Sequence, residues 1–160
     1  ECAALALEIR DLLAAADLDC VAKTSGSKGM QVYVPLNSPG PDAADHEHCA
    51  SFALAVGQLL AQRHPRGVTT TMARAQRSGK VFVDWSQNAL HKTTVCVYSM
   101  RARPEPTVST PLHWAEVAAA ADGSDPLVFR IGDVLERVAE HGDLFATALE
   151  AVQRLPAPRS

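Results

Sequence analysis

The sequence has no apolar run approaching the ~18 residues that a bilayer-spanning helix needs, which excludes a membrane-spanning helix. It has no CxxC pair. Its four cysteines, Cys2, Cys20, Cys49 and Cys96, are spaced by 18, 29 and 47 residues, a pattern that fits neither a zinc site nor a disulfide scaffold. They are expected to be buried or half-buried thiols in a reducing cytoplasm. Excess positive charge is also missing, since 15 Lys and Arg against 18 Asp and Glu leave a formal charge of -3. Any polyanion site must therefore be a local cationic patch on a mildly acidic body. The first residues lack the cationic start and small-residue cleavage site of a signal peptide, so a cytoplasmic location is expected. With 47% hydrophobic residues and little net charge, the composition is not that of a disordered chain. The 160 residues suit one domain with one continuous core, ending in a short tail over 156–160.

The pattern of apolar residues predicts the elements. Leu5, Ile9, Leu12, Leu13 and Ala16 make one face of a helix over 3–16, already running at Glu1 with no cap before it. Residues 20–24 (CVAKT) and 30–36 (MQVYVPL) read as two strands of a hairpin joined by the turn-type residues 25–29. Met30, Val32 and Val34 face one side and Gln31 and Tyr33 the other. A helix over 43–63 follows, capped by Asp42 and stopped by Pro65, with a stripe of Cys49, Phe52, Val56, Leu59, Leu60 and Arg63. Residues 68–79 are cationic and weakly helical. Strands are predicted over 80–85 (KVFVDW) and 93–98 (TTVCVY). Residues 101–112, with Pro104, Pro106 and Pro111, read as an irregular crossing. Three more helices are expected, over 113–121, 131–140 and 143–155, with Gly142 a left-handed cap between the last two.

Several constellations carry chemistry. Residues 24–29 (TSGSKG) offer hydroxyls, backbone N–H groups and one Lys, which can cradle phosphates. They do not form a Walker A loop, and they equally suit an ordinary hairpin turn. Asp84 ends an apolar strand, where a carboxylate must be paired, bind a metal or cap the next turn. Arg74, Arg77, Lys80, Lys92, Arg101 and Arg103 lie close in sequence with only Asp84 and Glu105 as acids among them. That is either a field for phosphates or a solvated cationic face. Residues 42–49 (DAADHEHC) resemble a metal cluster in composition, but helical spacing separates Asp45, His48 and Cys49 from His46. Asp17 and Asp19 form a D-x-D that reads as a solvated helix-to-strand joint.

Taken in order, TSGSKG (24–29), KVFVDWSQN (80–88), KTT (92–94), YSMRARP (98–104) and VSTPLHW (108–114) resemble the primase-polymerase domain of bacterial DNA ligase D and its stand-alone relatives, in the archaeo-eukaryotic primase superfamily. The resemblance covers nearly the whole chain. It implies an α/β (α+β) fold, palm-like, with a largely antiparallel sheet and packed helices. It implies a nucleotidyltransferase of non-homologous end joining that adds nucleotides, preferably ribonucleotides, to DNA 3′ ends or gapped primer-templates. The cofactor implied is a divalent metal, Mn2+ or Mg2+, and the chemistry two-metal phosphoryl transfer. A nucleoside triphosphate and DNA are the partners implied, with Ku and a ligase domain as further ones. Residue by residue, Asp84 matches the catalytic metal ligand of the third motif. Ser25 and Lys28 match the second motif, which holds the triphosphate, and Gln87 and Arg101 match positions near the nucleotide. Arg77 and Lys80 are candidate phosphate or DNA contacts. The family places the 24–31 hairpin and the 80–88 strand around one nucleotide.

Two departures qualify the transfer. Gln31 stands where the best-known members carry His, giving a phosphate a hydrogen-bond donor without a charge. The family's first motif, a D-x-D, falls by spacing about ten residues before Glu1, and Asp17 and Asp19 lie too near Ser25 to replace it. The expectation is that these 160 residues bind nucleotide but are catalytically incomplete by themselves. The alternative reading is a binding module of the same fold that grips nucleotide or DNA without turning it over.

Overall fold

The computed structural model describes residues 1–40 and 43–157, which divide into two compact units. The first comprises residues 1–37 and 95–153, and the second residues 38–94 with the chain from 154 on. The architecture is mixed helix and largely antiparallel sheet.

In the first unit, helix α1 (Cys2–Ala14) and helix α3 (Trp114–Ala121) cover one face of a three-stranded antiparallel sheet. Its strands are β1 (Val21–Thr24), β2 (Met30–Tyr33) and β7 (Pro111–Leu112), ordered β2-β1-β7. Lys23 pairs with Gln31 on one side and Pro111 on the other, and Ala22 with Val32 and Leu112. Because side chains alternate along a strand, Ala22, Val32 and Leu112 turn together toward the helices. There they join Ala3, Ala6 and Val117 in the core. Alanine on the inner faces lets the helices come close. Pro111, lacking an N–H, is tolerated because β7 is an edge strand. Strands β5 (Met100–Arg101) and β6 (Thr107–Val108) form a separate antiparallel pair. Helix α4 (Ile131–His141) ends at Gly142, whose φ of 71° and ψ of -160° define a glycine-only conformation, extended and not the expected left-handed helical one.

The second unit is built on helix α2 (His46–Arg63) and a parallel pair, β3 (Val68–Thr69) with β4 (Val81–Phe82). The cap of α2 is Asp45, whose carboxylate accepts from the His48 N–H at 2.8 Å. The expected cap, Asp42, lies outside the described residues. Leu60 and Val68 are buried, and Gly57 is the point of close approach. A Cβ there would lie 2.7 Å from Cγ2 of Thr70 and 3.1 Å from Cγ1 of Val83. Gly57→Val is therefore expected to destabilise this unit by about 1–3 kcal/mol through overpacking, read as a lower urea midpoint. An unchanged midpoint would refute the close-packing account.

Several expected elements differ. Residues 93–98 alternate like a strand but do not form one. Tyr98 takes a φ of 63°, its N–H goes singly to the Ser109 carbonyl at 2.7 Å, and the Val95 carbonyl is taken by the Lys23 ammonium. The expected crossing over 101–112 instead supplies strand residues to β5, β6 and β7. The 80–85 strand is shortened to β4 because the chain turns at Asp84 into a 3-10 helix, Trp85–Asn88. The 143–155 helix shrinks to α5 (Thr147–Glu150). Asn37 Nδ2 donates to the Ala148 carbonyl within α5 and to the Ala151 carbonyl just after it, and Gln153 bonds Asp19, Pro35 and Leu36. Those tertiary bonds override helix propensity. The weakly helical 68–79 contains β3 and one 3-10 turn, Arg74–Gln76. Cys2, Cys20 and Cys49 are half-buried as expected, but Cys96 is exposed, a correction that follows from the irregular path of its segment.

Candidate functional site

In the first unit the 25–29 loop closes the β1–β2 hairpin. The Ser25 N–H donates to the Gly29 carbonyl at 2.9 Å, and Ser25 Oγ accepts from the N–H groups of Ser27 and Gly29, each at 3.2 Å. The loop is thus wound around the Ser25 hydroxyl. Gly26 is buried, with a φ of 63°, and a Cβ on it would lie 2.7 Å from Arg101 Cγ and 3.0 Å from the Ser109 nitrogen. The β5–β6 pair therefore clamps the loop. Thr107 Oγ1 donates to the Gly26 carbonyl at 2.6 Å, and the Arg103 guanidinium donates to Ser27 Oγ. Ser25, Lys28 and Arg101 are brought together in this way, with the Lys28 side chain exposed. The Arg103 guanidinium on Ser27, the Arg101 stem against Gly26 and the exposed Lys28 give the loop a cationic surround, the charge that phosphate oxygens seek.

Gly26→Ala tests that geometry. A left-handed residue with a Cβ costs about 1–2 kcal/mol, and the methyl must also displace the Arg101 stem. The variant is expected to melt at a lower temperature. A melting curve superimposable on that of the wild type would show that the loop does not need glycine.

Gln31 lies beside Lys23 across the hairpin, on the sheet face away from the core, and its Oε1 accepts from the Tyr33 hydroxyl at 3.4 Å. Two loop-pinning residues, Arg103 and Thr107, had no separate signal beyond the cationic run. Lys23, the one charge in a strand otherwise made of small and apolar residues, was a signal that sequence reasoning passed over.

In the second unit Asp84 precedes the 3-10 helix and is half-buried. Its Oδ1 accepts from Ser86 Oγ at 2.6 Å and its Oδ2 from Gln87 Nε2 at 2.8 Å. Both donors are neutral, so they fix the carboxylate without cancelling its charge. Each oxygen keeps a further lone pair, the donor chemistry a hard divalent cation wants. Asp84 can therefore offer oxygen to a cation, but among the described residues no group of three or more metal-ligating side chains is gathered, so it would act as a single protein ligand. Gln87 spends its amide on Asp84. The Arg77 guanidinium donates to the Thr71 carbonyl at 2.9 Å and stacks 3.5 Å over the Phe82 ring, while Lys80 Nζ donates to the Pro65 carbonyl at 2.8 Å. Both cations hold turns of their own unit.

Neither acidic look-alike is gathered into such a geometry. Asp17 and Asp19 are exposed at the joint after α1, where Asp17 has a φ of 56° and the Asp19 backbone bonds Gln153. Asp45 caps α2, His46 Nδ1 lies 2.9 Å from the Asn88 carbonyl, and His48 Nε2 lies 3.0 Å from that of Pro156.

A polar, cation-bearing loop in one unit and a carboxylate held by neutral donors in the other are the kinds of group that nucleotide and metal chemistry uses. The family model for the LigD primase-polymerase domain matches residues 1–145, and the chain belongs to that family. It is 43% identical over 144 residues to the multifunctional non-homologous end joining protein LigD of Mycolicibacterium smegmatis, covering 89% of this chain and 18% of that protein. The bifunctional LigD of Bacillus subtilis is 32% identical over 135 residues, 84% of this chain and 21% of that protein. The polymerase domain of Mycobacterium tuberculosis Ligase D, solved in complex with DNA, superposes with a TM-score of 0.83 at 40% identity. That match covers 94% of this chain and 50% of the solved one. The chain thus spans about a fifth of its curated relatives and half of the solved domain.

Proposed function

We propose that this chain takes part in adding nucleotides, with a preference for ribonucleotides, to DNA 3′ ends or gaps during end joining. Asp84 holds a divalent metal, Mn2+ or Mg2+. Ser25, Lys28, Gln31 and Arg101 hold the triphosphate of the incoming nucleotide, with Gln87 setting Asp84. Asp84 would hold that metal, which would supply Lewis-acid activation of the 3′-hydroxyl or neutralisation of the triphosphate charge. The chain's own residues bind and orient: the N–H groups of Ser25, Ser27 and Gly29 are spent on shaping the loop, so the Ser25 hydroxyl proton, the Lys28 ammonium and the Arg101 guanidinium fix the phosphates, and Ser86 and Gln87 hold the carboxylate in one rotamer. DNA is the macromolecular partner, and Ku and a ligase domain are partners of the whole protein.

The observation that supports the reading is the close approach of Arg101 to Gly26, which brings a cationic side chain from a segment distant in sequence to the 25–29 loop. The experiment is a titration of a fluorescent ribonucleoside triphosphate into the chain with and without manganese. Saturable binding that strengthens with manganese is expected. Lack of any binding, or binding indifferent to manganese, would contradict the proposal.

A further inference from the structure

Lys23 is 1% exposed, yet its ammonium has only neutral oxygens as hydrogen-bond partners. Nζ donates to the Val95 carbonyl at 2.9 Å and to Ser109 Oγ at 2.6 Å. The groups facing it are the Tyr33 ring from β2 at 5.8 Å, Cys96 from the segment after Val95, and Arg101 from β5. Among the described residues no carboxylate faces it, and its charged neighbour Arg101 has the same sign. A cation taken out of water without an anion is costly, and a methionine would fill the volume without that cost.

The residue is wired to the phosphate loop. It precedes Ser25 by two positions. Ser109, which accepts from its ammonium, donates its own hydroxyl to the Thr24 carbonyl at 2.7 Å and packs its backbone nitrogen against Gly26. We infer that Lys23 is a positioning residue whose buried charge is matched by the incoming triphosphate, so that nucleotide binding is coupled to protonation of its side chain. This rests on reading the 25–29 loop as a triphosphate cradle.

The sign follows from the environment. Burial lowers the Lys23 pKa from 10.5 to about 8, with Cys96 opposing and Arg101 adding to the fall. Near pH 8 only about half the free protein is protonated there. An arriving anion raises that pKa, so binding takes up a proton, and affinity falls as pH rises through about 8.

The experiment is calorimetry with ATP, whose own phosphates have already lost their protons at about pH 8. Two buffers of different ionisation enthalpy give the number of protons exchanged. The wild type is expected to take up a fraction of a proton, at most about half. Lys23→Met is expected to take up none, to bind ATP with a flat profile between about pH 7 and 9, and to melt no lower than the wild type. Cys96→Ser, which changes a neighbour of Lys23 without touching its ammonium, is expected to keep the uptake. Because Lys23→Met could misfold, the Lys23 side-chain NMR resonance is also titrated in the wild type, and its midpoint is expected to rise with ATP. Uptake unchanged in Lys23→Met, or a midpoint unmoved by ATP, overturns this inference alone. Failure of ATP to bind at any pH overturns both it and the cradle.

Discussion

Asp84→Asn is expected to remove most of the affinity gain that manganese gives a nucleoside triphosphate, while leaving the fold intact. The substitution keeps the shape and one oxygen but deletes the negative charge. Hard divalent cations are held by charged oxygen, and the hydrogen-bond partners of Asp84, Ser86 and Gln87, are neutral and bring no negative charge to take over the role. Losing a residue that merely orients a metal ligand costs roughly 10–100-fold in affinity, so losing the ligand itself should cost at least about 100-fold. Ser86→Ala, which removes the 2.6 Å bond to Oδ1, belongs in the lower range. Triphosphate titrations with and without manganese measure both. If Asp84→Asn keeps the full manganese effect, the metal is held elsewhere.

Arg101→Ala is expected to weaken triphosphate binding by one to two decades, with or without manganese. Arg101 Cγ lies against Gly26, which places the Arg101 stem at the loop. A hydrogen bond to a charged group contributes roughly 1.5–3 kcal/mol, which converts to about that range in affinity. Arg130→Ala is the comparison, because Arg130 is exposed and pairs with Glu105, where ion pairing contributes little. Equal titration curves for the two variants would remove Arg101 from the site.

The parts of the fold legible in the sequence are those set by local signals. The apolar stripe of α1, the Gly/Ser turn between β1 and β2, and the body of α2 follow from periodicity and turn chemistry. What was not legible depends on distant partners. The pattern of residues 93–98 is that of a strand, but Lys23 takes the Val95 carbonyl and Tyr98 turns left-handed, so no ladder forms. Pro111 reads as a breaker until β1 supplies an edge at which its missing N–H has no consequence. Residues 143–155 have the composition of a helix, but Gln153 and Asn37 make bonds that a continuous helix would forbid.

The site divides in the same way. Ser25, Lys28 and Asp84 are visible because small residues, a lone cation and a strand-end carboxylate are unusual where they stand. Arg103 and Thr107 become functional candidates only when β5 and β6 pair and fold back on Gly26. The Ser86 and Gln87 bonds that fix Asp84 arise from a 3-10 turn that a strand reading hides.

Primer extension on a gapped DNA duplex, with manganese and ribonucleotides, tests the central claim most directly. It compares the wild-type chain with its Asp84→Asn, Asp17→Ala and Asp19→Ala variants, each also titrated with a ribonucleoside triphosphate. The account predicts that Asp84→Asn abolishes any nucleotide addition and the manganese-dependent part of binding, and that Asp17→Ala and Asp19→Ala change neither. Extension that survives Asp84→Asn but is lost with Asp17→Ala or Asp19→Ala would contradict it, and would move the metal to the joint after α1.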